Sequence, residues 1–163
     1  MNNAKYFVFV LLLSPVLLGA QSLFVSPAAL AAGEGDDAAS GIVVEKVYSY
    51  ALPEPVKNGA VFMTIKNTGA EADFLVKATS GIAERVELHT HKHVEGIMQM
   101  REVEKIEILA GQTHALQPMG DHVMIFGLKD PLISGSDFPM TLHFEKAGPE
   151  QVVVKVVDPG SQP

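Results

Sequence analysis

Residues 84–91 read Glu-Arg-Val-Glu-Leu-His-Thr-His. Val86 and Leu88 alternate with Glu87 and His89, the period-two pattern of a strand with one buried face. The same reading extends outward in both directions. Upstream lie the β-like runs Ile42–Tyr50, Val61–Asn67 and Phe74–Thr79; downstream lie Ile97–Val103, Ile106–Leu109, Thr113–Leu116, His122–Leu128, Asp137–Phe144 and Gln151–Val157. Turn-forming clusters separate them: Asn67-Thr68-Gly69, Ser80-Gly81, Ala110-Gly111, Ser134-Gly135-Ser136 and Ala147-Gly148-Pro149. No stretch has sustained helical periodicity. Short strands at this spacing predict an all-β domain, a β-sandwich or Greek-key barrel.

The chain has 163 residues, room for one domain of ordinary size. Lys5 followed by the apolar run Tyr6–Leu18 and the small residues around Ala29-Leu30-Ala31 reads as a signal peptide over 1–31, because the apolar run is too short to span a bilayer. A flexible acidic leader is expected over 32–40, the β domain over 41–158 and a disordered tail over 159–163. Membrane contact is then limited to the signal peptide before cleavage, and the expected location is outside the cytoplasm. Export favours disulfides, yet the chain has no cysteine, so the fold must rest on its core. Net charge is −7 at pH 7 with His neutral. That excludes nucleic acid as a partner, since phosphate binding needs a basic face.

His89, Met100, His122 and Met124 carry the chemistry. Imidazoles and thioethers form a neutral, partly soft donor set, which suits Cu(I) and suits hard ions poorly. His122 and Met124 are two apart on a strand and share a face, while Val123 and Ile125 point the other way. Gly120-Asp121 reads as a turn that places this pair at a strand end near solvent. The spacing from His89 to Met100 fits a hairpin that brings those two together.

From Gly41 to Val157 the chain resembles the PCu(A)C family of periplasmic copper chaperones, whose hallmark H-x10-M-x21-H-x-M is matched by His89, Met100, His122 and Met124. The run Gly59–Gly69, with its Asn-Thr-Gly turn, resembles the family's early strand. Glu84–His89 resembles the strand leading to the first ligand. Gly127-Leu128, Pro131-Leu132 and Thr141–Glu145 resemble the later signatures. The resemblance implies a cupredoxin-like β-sandwich that binds Cu(I) and delivers it for assembly of the dinuclear copper centre of cytochrome oxidase. The implied partner is an oxidase subunit or another copper chaperone. The chain departs from the family in carrying Tyr48 and Tyr50 where Trp and Arg are usual and Pro118-Met119-Gly120 where Pro-Gly-Gly is frequent. No His/Met-rich tail follows Val157.

His91, His93 and Met98 are auxiliary metal candidates. His89, His91 and His93 alternate, so a second Cu(II) or Zn site at the His89–His93 hairpin is an expectation to set beside an exposed polar hairpin. Met98 shares a face with Met100. Met119 reads as hydrophobic rim, and His114, His143, Met63 and Met140 as structural. A blue-copper electron carrier is excluded because it needs a cysteine. Zinc hydrolysis lacks its His and carboxylate pattern, so no enzymatic role is expected. The alternatives are a metal-free secreted interaction module and a periplasmic copper storage or detoxification protein.

Overall fold

The computed structural model describes residues 41–94 and 96–161. The expected signal peptide and acidic leader, and the last two residues of the expected tail, lie outside this range. Ten strands follow in chain order: β1 (Ile42–Tyr50), β2 (Asn58–Asn67), β3 (Asp73–Thr79), β4 (Arg85–Val94), β5 (Ile97–Glu102), β6 (Ile106–Ile108), β7 (Thr113–Leu116), β8 (His122–Phe126), β9 (Asp137–Phe144) and β10 (Gly148–Val157). They hydrogen-bond in the order β5-β4-β8-β2-β1-β10-β9-β3-β6, with β7 also paired to β2. The sheet curls so that β3 and β6 come over β4 and β2, closing a cupredoxin-like barrel around one core.

Strand alternation builds that core. Val61, Met63 and Ile65 of β2, Val123 and Ile125 of β8, Phe138, Met140, Leu142 and Phe144 of β9, and Val154 and Val156 of β10 all point inward and are buried. Met63 and Met140 are thus core residues, as expected. Two buried polar side chains hold the turns. Asn67 donates through Nδ2 to the Ile108 carbonyl at 3.0 Å and the Glu71 carbonyl at 2.8 Å. Its Oδ1 accepts from Gly69 N at 2.9 Å, which shapes the Asn-Thr-Gly turn. The Asp73 carboxylate accepts from the backbone N–H groups of Phe74, Lys146 and Ala147 and fastens the β9–β10 turn to β3. Both side chains therefore meet the cost of burial with hydrogen bonds.

One edge of β2 is shared. Antiparallel β8 pairs with its first part, from Phe126 opposite Asn58 to Val123 opposite Val61. Antiparallel β7 pairs with its second part, from Leu116 opposite Met63 to Thr113 opposite Lys66. The chain leaves that edge between them in a turn over 117–121. Gln117 N donates to the Asp121 carbonyl at 2.8 Å, and Gly120 N to the Gln117 carbonyl at 3.0 Å. Met119 sits in this turn at φ 66°. Beyond β10, Ser161 N bonds the Asp158 carbonyl at 3.0 Å, so the tail begins as a turn.

Candidate metal centre

Strands β5, β4 and β8 are adjacent, and their outer face carries the predicted ligands. Register places them. His89 of β4 lies directly opposite His122 of β8, and Glu87 lies opposite Met124. On the other side of β4, Met100 lies opposite His91, Met98 opposite His93 and Glu102 opposite His89. Residues paired across antiparallel strands face the same side. His89, His91, Met100, His122 and Met124 therefore share one face, opposite the core-facing Leu88, Val123 and Ile125.

Two expectations are corrected by this geometry. The hairpin does not set Met100 directly opposite His89; it sets Met100 opposite His91, two residues further along β4 and diagonal to His89, because the turn at Gly96 fixes the register. Nor does His122 sit near solvent, being only 3% exposed. The turn over 117–121 does precede it, but neighbouring rings cover it. Phe62 lies 6.3 Å from its ring centroid, His89 5.8 Å and His91 5.3 Å. Met100, in contrast, is 46% exposed, and Met98 and Met119 are also exposed. The centre thus has two buried imidazoles at its floor and a thioether at its rim.

Hydrogen bonds fix which nitrogen each ring offers. His89 donates from Nε2 to the Glu87 carboxylate at 2.8 Å, and Arg85 holds the other oxygen of that carboxylate at 2.8 Å. His89 Nδ1 is buried with no hydrogen-bond partner. A buried unpaired polar atom costs about 1–3 kcal/mol, and a metal ion would satisfy it. His122 donates from Nδ1 to the Gly120 carbonyl at 3.0 Å, so its lone pair is on Nε2. His91 donates from Nδ1 to the same carbonyl at 3.2 Å. Burial, above all, pushes the His122 imidazole below its ordinary pKa; nearby His91 and His89 push the same way, while the Gly120 hydrogen bond and Asp121 oppose them. The shift favours the neutral form of His122, the form that binds a metal.

Among the described residues no three His, Cys, Asp or Glu side chains stand ready as a metal cage. His114 bonds Asp121 at 2.8 Å and His143 lies 3.3 Å from the Thr79 hydroxyl, away from this face. The sequence reading missed two supporting groups. Glu87 lies two residues before His89 on the same strand face, so period two alone could have found it. The Gly120 carbonyl had no sequence signal, because its aim depends on the break between β7 and β8. An aromatic cluster of Tyr48, Tyr50 and Phe62, with centroids 5.3–5.7 Å apart, flanks the centre on its β2 side. Burial, foremost, and Tyr50 push the Tyr48 phenol up to about 12, so it stays neutral.

The chain is similar to known proteins in sequence and in fold. Residues 42–156 match the family described as "Putative lipoprotein LpqE-like". A relative from Leifsonia xyli subsp. xyli (strain CTCB07), named "Putative lipoprotein Lxx21020", is 35% identical over 88% of this chain and 85% of its own. The solution structure of CuI-DR1885 from Deinococcus radiodurans is 31% identical, covers 73% of this chain and 79% of that one, and superposes with a TM-score of 0.60. The copper-bound PCuAC domain from PmoF2, 23% identical over 73% of this chain and 94% of that one, shares the fold with a TM-score of 0.62. The chain belongs to the LpqE-like family and, with it, to the PCu(A)C family.

Proposed function

We propose that this protein captures Cu(I) on the outer face of β5, β4 and β8 and hands it to an acceptor outside the cytoplasm. The observation that carries the reading is the registered pair His89–His122, whose rings keep a lone pair free beside two thioethers on the same face. Two neutral imidazoles and two thioethers bring no ligand charge, a combination that favours Cu(I) over the more highly charged Cu(II). Support also comes from the Deinococcus relative, whose structure was solved with Cu(I). Exposure of Met100 favours carriage over storage, because an incoming thiolate can displace a rim thioether before the buried imidazoles let go.

The location we propose is the periplasm, reached through the apolar leader. The acceptor we propose is the dinuclear copper centre of cytochrome oxidase, directly or through another copper chaperone; PCu(A)C membership supports both. The test is anaerobic Cu(I) titration against a competing chelator, with wild type beside the double variant Met100→Ala/Met124→Ala. One tight equivalent that the variant loses supports the reading. Equal weak binding by both proteins would sink it and leave the metal-free interaction module.

A further inference from the structure

We propose that His91 is a third imidazole ligand of the same centre, and that it admits the oxidised ion. In this reading His89, His91 and His122 hold Cu(II), while Met100 and Met124 complete the sphere of Cu(I). The inference rests on the copper reading above and adds to it a second oxidation state and a ligand outside the four-residue hallmark.

Three observations carry it. First, Met100 stands opposite His91, and His89 stands opposite Glu102. A metal that reaches from the buried His89–His122 pair to Met100 therefore passes the His91 ring. Second, the spacing fits a shared ion. A metal–nitrogen bond of about 2.1 Å puts a ring centroid about 3.2 Å from the ion, so two rings on one ion lie up to about 6.4 Å apart. The His91–His122 and His89–His122 centroids, at 5.3 and 5.8 Å, are both inside that limit. Third, the Gly120 carbonyl accepts from Nδ1 of both His91 and His122. A carbonyl can only accept, so both rings are set in the same tautomer with Nε2 free.

His91 is half-buried, whereas His89 and His122 are buried. The three rings are not yet gathered around a point, so the His91 ring turns in when the ion demands it. Cu(II) makes that demand, since it prefers imidazole nitrogen to thioether sulfur. Cu(I) does not, since the thioethers suit it.

The experiment compares purified wild type with His91→Phe, which keeps a ring on the strand, and His91→Asn. One equivalent of Cu(II) is added, and nitrogen hyperfine couplings are counted by electron paramagnetic resonance and pulsed methods. Cu(II) and Cu(I) affinities are measured by chelator competition. Three coupled imidazole nitrogens are expected in wild type and two in both variants. Cu(II) affinity should fall about ten-fold or more, with Cu(I) affinity changed less than about two-fold. Unchanged nitrogen count and Cu(II) affinity in both variants would overturn the proposal. So would an equal loss for both oxidation states, which would make His91 a packing residue. The copper reading itself stands or falls on Cu(I) binding by Met100→Ala/Met124→Ala, a separate outcome.

Discussion

Glu87 and the Gly120 carbonyl act on the centre without belonging to the four predicted ligands. The Glu87 carboxylate accepts the Nε2 proton of His89 and so leaves Nδ1 bare toward the face. Partners of this kind typically contribute 10–100-fold to metal affinity. Glu87→Gln should therefore weaken Cu(I) binding by about ten-fold or more while one equivalent still binds, as chelator competition would show. Proton linkage adds a second expectation. His122 binds its proton less readily in the fold than in the unfolded chain. As pH falls below about 6.5, the unfolded state takes up the proton and the folded state does not, so the unfolded state gains. Stability of the copper-free protein should be full above that value and decline as the pH is lowered toward the folded-state pKa. A melting series from pH 8 to pH 5 should show that decline for wild type and a shallower one for His122→Gln. Proton competition at His122 likewise starts at a lower pH than it would for a free imidazole.

At the scale of elements, β8 ends at Phe126 and the chain turns at Gly127, whose φ is 66°. A Cβ there would lie 2.7 Å from the Glu84 side chain, which is exposed and can move, so the cost of adding one is the left-handed backbone. Gly127→Ala should lose about 1–2 kcal/mol, seen as a lower urea midpoint at unchanged slope. The elements were largely legible in the sequence. Every run expected to be a strand is one, and in most of them one face meets the core, β5 being exposed along nearly all its length; β1, β7 and β9 begin and end where expected. That His122 and Met124 share a face was legible too, through their period-two spacing. What was not legible depends on pairing between strands. Nothing local says that Gly96 sets Met100 against His91 rather than His89. Nothing local says that β7 and β8 share the edge of β2, so that the turn between them covers His122 and aims a carbonyl at two rings.

For the whole molecule, stability has no covalent help, because no cysteine exists to bridge the sheet. Core truncation should therefore be felt in full. Ile125 is completely buried, and Ile125→Ala should cost about 2–5 kcal/mol by urea denaturation. Its side chain faces away from the ligands, so the variant that remains folded should still bind one Cu(I) with wild-type affinity. Copper in turn should stabilise the domain, by about 4 kcal/mol when free ion exceeds Kd a thousand-fold. β8 makes the separation clear. Its odd positions, Val123 and Ile125, face the core, and its even positions, His122 and Met124, face the candidate centre. Five consecutive residues are thus read in two interleaved frames. Substitutions can drift in one frame while the other is preserved. Losing or gaining a single residue would exchange the frames, sending imidazole into the core and valine to the outer face in one step. Along this strand, length is more constrained than identity.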